Sequence, residues 1–121
     1  MALAILSGYS EPTYDDWKIP VVKEKSIEII DNSMKCNCYA FVKKVYFPNL
    51  PITTDILNNL KKEVGDVAVF YYPKSGLYHY AKVLESDGYT FKIDEANYSH
   101  CRLTQRELTL DYPQLIGFWS S

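Results

Sequence analysis

The chain has 121 residues, which is enough for one hydrophobic core but not for two. Its formal net charge is -2 and no run of basic residues is longer than two, which argues against a protein that binds nucleic-acid phosphates. The composition, 47% hydrophobic and without an apolar run of bilayer length, is typical of a globular monomer with no membrane span.

The N-terminal part of the chain is interpreted as an irregular arm. Residues 1–25 contain two prolines and an acidic turn, and residues 26–121 are interpreted as the single domain that follows. The short apolar run at 26–30 fits either a strand or one helical turn. No Lys or Arg precedes the first apolar residues, so we predict no secretory signal and expect synthesis in the cytoplasm.

Two helices are predicted in the middle of the chain. Apolar residues at helical spacing predict the first helix over residues 37–47, and Pro48 ends it. Either Thr53 or Thr54 can cap a second short helix that continues through Leu60.

The C-terminal half is predicted to form strands, because its apolar residues alternate with a period of two. The predicted strands cover residues 67–72, 78–85, 89–98 and 115–119, with a shorter one near 101–103. Two helices followed by a strand-rich half indicate an α+β domain, with the helices packed on one side of an antiparallel sheet of about five to six strands.

The second and third strands are predicted to form a hairpin, and two loop lengths compete. A two-residue turn would pair Val83 with Lys92 and mix apolar with charged side chains. A three-residue loop over 86–88, with Gly88 in the left-handed conformation, pairs Val83 with Phe91 and matches apolar residues instead. Because a one-residue slip turns every side chain over, we favour the three-residue loop.

The favoured register gathers polar side chains at the end of an apolar stripe. It places His79 directly opposite Glu95, and Asn97 points to the same face because alternate residues of a strand share a face. Asp94 should then face the other side of the sheet. A lone histidine beside an acid is most often structural, so a catalytic interpretation requires a nucleophile that reaches the other ring nitrogen.

Cys38 is the candidate nucleophile. It lies at the start of the predicted helix, just after the cap residue Asn37, where backbone N–H groups and the helix dipole favour a thiolate. His79 could accept its proton while Glu95 or Asn97 holds the imidazole in one tautomer. The backbone N–H of Cys38 offers a donor to an oxyanion. A cysteine on a helix, a histidine on a strand and an acid or amide on the next strand form a papain-like arrangement.

The other two cysteines, Cys36 and Cys101, leave alternatives open. Three cysteines cannot all pair, so the odd thiol indicates either a reducing setting or a reactive cysteine. We expect Cys36 and Cys101 to be ordinary thiols that pack as small hydrophobes, with Cys36 turned away from His79. The alternative is a zinc site, whose ligands would be Cys36, Cys38, His100 and Cys101. That spacing does not match the usual two-residue knuckle, and we expect no metal.

Several motifs resemble those of CHAP domains (cysteine, histidine-dependent amidohydrolases/peptidases), which belong to the NlpC-type papain-like superfamily. The matching segments, in chain order, are NCYAFV at 37–42, GDVAVF at 65–70, HYAKV at 79–83, IDEANY at 93–98 and IGF at 116–118. Together they span about residues 33–119. The resemblance implies a papain-like fold, in which N-terminal helices pack on the antiparallel sheet.

The resemblance also implies a function. CHAP domains are thiol peptidases or amidases that hydrolyse amide bonds of peptidoglycan without a cofactor, and many belong to bacteriophage endolysins or tail-associated proteins. The peptidoglycan peptide would therefore be the partner, and the cell wall the place of action. Cys38 would be the nucleophile and His79 the general base, with Glu95 and Asn97 orienting the histidine.

The chain departs from the family pattern on both sides of the nucleophile. Asn37 stands where glutamine is common in the family and would line the oxyanion site, while Tyr39 stands where a small residue is common and would narrow the substrate groove. Two other functions stay open: a non-catalytic virion or binding protein on the same fold, and a toxin or effector that hydrolyses an amide of a protein.

Overall fold

A computed structural model of the chain describes residues 36–97 and 101–121. The predicted arm at 1–25, the apolar run at 26–30 and His100 lie outside these residues. The helices are α1 (Cys38–Val45) and α2 (Thr53–Asn58), and the strands are β1 (Val67–Tyr72), β2 (Leu77–Ser86), β3 (Thr90–Asn97), β4 (Arg102–Thr109) and β5 (Leu115–Trp119). Over the described ranges, neither helix is long and apolar enough to cross a membrane.

The five strands form one sheet in the order β4-β3-β2-β1-β5, and every neighbouring pair is antiparallel. The predicted α+β class with an antiparallel sheet is thus confirmed. The strand predicted near 101–103 is longer in the structure, where β4 continues to Thr109. The sequence did not reveal this length, because polar residues such as Thr104 and Arg106 occupy inward positions and interrupt the apolar alternation.

Helix α1 begins where the sequence predicts, but it ends at Val45, two residues before the predicted end. Its cap is Asn37, whose side-chain oxygen accepts a hydrogen bond from the Ala40 N–H at 2.9 Å. Phe41 and Val42 form the buried face. The cap therefore fixes the helix start, and the first helical residue is the candidate nucleophile Cys38.

The predicted cap of α2 is wrong. Thr53 and Thr54 both lie inside the helix, and the cap residue is Ile52, whose side chain makes no capping bond. The Ile52 carbonyl instead accepts the N–H groups of Asp55 and Ile56 at 3.0 and 3.1 Å. The helix starts one or two residues earlier than predicted, because its backbone, rather than a threonine hydroxyl, satisfies these donors.

Apolar side chains pack on both faces of the sheet. The helix-side cluster contains Phe41, Val42, Leu50, Ile56, Val67, Val69, Tyr80, Ala96, Leu103 and Trp119. The second cluster contains Ala68, Phe70, Tyr72, Ala81, Val83, Phe91, Ile93 and Phe118. In it, the rings of Phe91 on β3 and Phe118 on β5 lie 5.4 Å apart although two strands separate them. Since adjacent strands are about 4.8 Å apart, the sheet must curl around this cluster.

The loop of the β2–β3 hairpin differs from both predicted alternatives. The Asp87 N–H donates to the Thr90 carbonyl at 3.1 Å, and Asp87 Oδ1 accepts the N–H groups of Tyr89 and Thr90 at 2.9 and 2.7 Å. The carboxylate therefore centres the turn on Gly88 and Tyr89. Gly88 has a φ of 94°, so its predicted left-handed conformation is confirmed.

The predicted pairing register is also wrong, and a bulge accounts for the difference. Next to the turn Ser86 pairs with Phe91, but Leu84 is an extra residue in β2, and beyond it Val83 pairs with Ile93. Val83 was predicted to pair with Phe91, so the register differs by two residues. Because this number is even, the side chains beyond the bulge still point to the predicted faces.

Candidate active site

The Cys38 thiol lies at the N-terminus of α1 and is hydrogen-bonded to His79. Burial raises the pKa of this thiol, but the charge and hydrogen bond of His79, with backbone hydrogen bonds from Tyr80 and Tyr39, bring the pKa below its ordinary value of 9.0. Cys38 is also the free cysteine of the protein. The arrangement favours a thiolate at the first turn of the helix.

His79 lies near the start of β2 and is 1% exposed. Its Nε2 is 2.6 Å from Oε1 of Glu95. Nδ1 is therefore the ring nitrogen that remains for the hydrogen bond with the Cys38 thiol. Burial lowers the pKa of the imidazole, but Cys38 and Glu95 raise it to about 9. The two shifts together favour a thiolate–imidazolium pair at neutral pH. The expectation that Cys38 faces His79 is confirmed.

Glu95 reaches His79 diagonally rather than from the directly opposite position that was predicted. Because Val83 pairs with Ile93, Glu95 does not lie directly across from His79. In this register Glu95 lies two positions nearer to the bulge than the residue of β3 that is directly across from His79. Both side chains point to the same face, and the length of the glutamate closes the remaining distance.

The Glu95 carboxylate is wholly buried and accepts hydrogen bonds from two residues that the sequence analysis missed. Arg106 donates through Nε to Oε2 at 2.6 Å and through Nη2 to Oε1 at 3.2 Å, and Thr104 Oγ1 donates to Oε2 at 3.1 Å. Burial raises the pKa of Glu95, but Arg106 and His79 hold it down to about 2. A longer fourth strand in the prediction would have placed Arg106 and Thr104 on this face.

Asn97 is the last residue of β3 and is fully buried. It lies two residues beyond Glu95, on the same face of the strand, as the sequence predicts. Its backbone carbonyl accepts the N–H of Cys101 at 2.7 Å.

The two residues beside the nucleophile have structural contacts of their own. The Asn37 side-chain oxygen caps α1, so this oxygen is not directed at a substrate. The Tyr39 hydroxyl donates to the Pro51 carbonyl at 2.6 Å, which holds the segment after α1 against the helix. Tyr39 lies half-buried beside Cys38, where it borders the predicted groove.

A row of tyrosines extends from the nucleophile to the surface. The ring of Tyr80 packs edge-on against Tyr39 at 5.8 Å, and its hydroxyl lies within electrostatic range of Cys38 and Tyr78. Tyr78 is 42% exposed and its ring lies 4.7 Å from that of Tyr71. Of this row, Tyr78 presents an aromatic ring and a hydroxyl group at the surface.

Cys36 and Cys101 form a disulfide, so the expectation that they are ordinary thiols is wrong. The predicted strand pattern could not reveal this pair, because their proximity depends on how α1 packs against the sheet. The sulfur of Cys36 is therefore bonded to that of Cys101. The disulfide also engages two of the four ligands of the alternative zinc site.

Within residues 36–97 and 101–121, no group of three or more His, Cys, Asp or Glu side chains could hold a metal ion. Comparisons with models of protein families, with curated proteins and with solved structures found no match to this chain. The assignment of a function therefore depends on the geometry around Cys38 and on the motifs of the sequence.

Proposed function

We propose that the protein is a cysteine-dependent hydrolase of the CHAP type, which cleaves amide bonds in peptidoglycan. The bond would be a peptide crosslink or the N-acetylmuramoyl-L-alanine amide, and the place of action would be the cell wall, as for a bacteriophage endolysin or a tail-associated protein. The catalytic residues would be Cys38, His79, Glu95 and Asn97 on a papain-like fold.

One observation carries the proposal: the Cys38 thiol at a helix N-terminus is hydrogen-bonded to a buried histidine that a buried carboxylate holds. A structural histidine requires a hydrogen-bond partner but no thiol with a lowered pKa on its other side. A nucleophile, a base and an orienting group in series are what covalent amide hydrolysis requires.

In the first half of the reaction, the Cys38 thiolate attacks the carbonyl carbon of the amide. A C–S bond forms and the carbonyl electrons move to oxygen, where the backbone N–H of Cys38 at the helix start can donate a hydrogen bond. The tetrahedral intermediate collapses as the C–N bond breaks. The His79 imidazolium gives its Nδ1 proton to the departing amine, and a thioester remains.

In the second half, neutral His79 removes a proton from a water molecule, which attacks the thioester. The C–S bond breaks, the carboxylic acid leaves, and the thiolate–imidazolium pair is restored. Glu95 keeps its bond to Nε2 throughout, so that Nδ1 stays directed toward the reacting atoms.

The choice of peptidoglycan is supported by the ordered CHAP motifs and by the tyrosines near Cys38. Rings with hydroxyl groups suit an extended, polar ligand, since they offer both stacking area and hydrogen bonds. An amide of a protein would use the same chemistry, and the test separates these two substrates.

The test incubates the oxidised protein with purified peptidoglycan and identifies the soluble fragments by mass spectrometry. Cys38→Ser, which nearly preserves side-chain volume, is expected to lower the rate at least about 10³-fold. The fragment masses and the new amino termini identify the bond. Parallel incubation with unfolded protein substrates would reveal a general peptidase.

The matched control is the double variant Cys36→Ser/Cys101→Ser, which removes two sulfur atoms but keeps the nucleophile. Assayed at a temperature where it is folded, it should still release fragments, and iodoacetamide should abolish that release. Fragment release that survives in Cys38→Ser, or a wild-type protein that releases none, would overturn the proposed function.

A further inference from the structure

Arg106 lies in the interior of the protein, with only 4% of its side chain exposed. Its guanidinium contacts both oxygens of Glu95, and Thr104 contacts one of them. Oε1 is thus shared between His79 and Arg106, while Oε2 is shared between Arg106 and Thr104. Such two-point contact between a guanidinium and a carboxylate fixes the orientation of both groups.

The charges of this buried group balance only when Arg106 is counted. A Cys38 thiolate, a His79 imidazolium and a Glu95 carboxylate together carry a net charge of minus one. A buried excess charge is costly, so without Arg106 the group would become neutral by keeping the proton on Cys38. With the guanidinium present, the reactive thiolate–imidazolium form has no excess charge.

We propose that Arg106 is a positioning residue of this site, which holds Glu95 against His79 and supplies the positive charge that allows Cys38 to be a thiolate. This inference rests on the proposed role of Cys38 as the nucleophile. Arg106 need not contact the substrate, because it acts through Glu95. It also explains how a carboxylate can stay ionised at a fully buried position beside a catalytic histidine.

Other groups that face the site do not replace this charge. Tyr72 lies near Arg106 and Glu95, and burial raises the pKa of its hydroxyl far above its ordinary value. Burial also raises the pKa of Tyr80, beside Cys38, to about 12. Tyr112 presents its ring face to the Arg106 guanidinium at 5.9 Å. Of these neighbours, Tyr72 and Tyr80 therefore stay uncharged at neutral pH.

The test measures the rate of alkylation of Cys38 by iodoacetamide as a function of pH, which reports thiolate formation and requires no substrate. Arg106→Gln is expected to raise the midpoint of this profile by roughly one to three pH units. Arg106→Lys keeps the charge and should stay closer to the wild type than Arg106→Gln does. The control is Arg102→Gln, an exposed arginine of the same strand, which should leave the midpoint unchanged.

A second variant keeps the inference testable if Arg106→Gln does not fold. Glu95→Gln/Arg106→Gln removes both charges, so its buried group is again neutral and its midpoint should return to within about one unit of the wild type. A folded Arg106→Gln with an unshifted midpoint would overturn the role of Arg106. So would a double variant whose midpoint stays more than about one pH unit from that of the wild type. A purely structural role would lower the folded fraction without moving the midpoint.

The outcome is independent of the proposed function. If wild-type protein releases no peptidoglycan fragments but the midpoint shifts in Arg106→Gln, the peptidoglycan proposal fails and the role of Arg106 in forming the thiolate stands. If hydrolysis is observed and depends on Cys38 but the midpoint does not shift, the hydrolase proposal stands and the inference about Arg106 fails.

Discussion

Asp94 and Glu95 are neighbours in β3 and both are fully buried, yet their carboxylates lie on opposite faces of the sheet. Asp94 accepts a hydrogen bond from the Tyr46 hydroxyl at the end of α1, whereas Glu95 accepts from His79 and Arg106. One carboxylate thus joins a helix to the sheet, and the other belongs to the candidate active site. Two adjacent acids therefore allow stability and activity to be tested separately.

Replacing Glu95 with Gln should impair hydrolysis far more than replacing Asp94 with Asn. Glu95→Gln removes the charge that orients the His79 imidazolium, and we expect a loss of about 10²-fold or more in kcat. Asp94→Asn should lower stability but leave kcat per folded molecule within about threefold. Initial rates on peptidoglycan, normalised to the folded fraction from circular dichroism, check this. Equal losses in the two folded variants would contradict the assignment of the faces.

Glu95 should also make stability depend on pH in acid. Its pKa in the folded protein is about 2, below the ordinary value of 4.5. The carboxylate therefore stabilises the folded state fully above pH 4.5, and this contribution is lost as the pH falls from 4.5 toward 2. Urea unfolding at several pH values in this window measures the loss. In Glu95→Gln the free energy of unfolding should fall less over this pH range. An equal fall in the wild type and in Glu95→Gln would contradict the prediction.

The hydrogen bond between Tyr46 and Asp94 should stabilise the docking of α1 without affecting catalysis. Burial and the neighbouring Asp94 raise the pKa of Tyr46 well above its ordinary value, as expected for a phenol that donates to a carboxylate. Tyr46→Phe should lower the free energy of unfolding by about 1–3 kcal/mol. Tyr89→Phe is the matched control, because Tyr89 is 81% exposed and its loss should cost less than about 0.5 kcal/mol. A similar effect in both variants would show that the hydrogen bond between Tyr46 and Asp94 contributes little to stability.

The sequence was informative wherever local chemistry decides the structure. The cap at Asn37 and the apolar face of α1 are local features, and both predict where Cys38 lies. The faces of His79 and Glu95 were also predictable, because strand alternation survives any register error of an even number of residues. The pairing register was not predictable, because the Leu84 bulge and the turn centred on Gly88 and Tyr89 shift the pairing in ways that apolar matching cannot reveal.

The features that the sequence could not reveal depend on tertiary contacts. The requirement for a glycine at position 65 depends on the other end of the chain. A Cβ on Gly65 would lie 2.9 Å from the Trp119 carbonyl oxygen, and Asp66 accepts the Ser121 N–H at 2.9 Å. The sequence also could not reveal the hydrogen bonds from Arg106 to Glu95, because a charged residue in a strand is ordinarily exposed.

Reduction of the disulfide between Cys36 and Cys101 should destabilise the protein. The bond joins residues 65 positions apart, and a cross-link over a loop of this length typically stabilises a folded protein by about 2–4 kcal/mol. Thermal unfolding with and without dithiothreitol should show a lower Tm for the reduced protein. Cys36→Ser/Cys101→Ser should melt like the reduced wild type and should not respond to the reductant. Because Cys36 is two residues before Cys38, reduction should also slow hydrolysis per folded molecule, measured well below the lower Tm. Oxidised and reduced proteins with equal Tm values would show that the cross-link contributes nothing to stability.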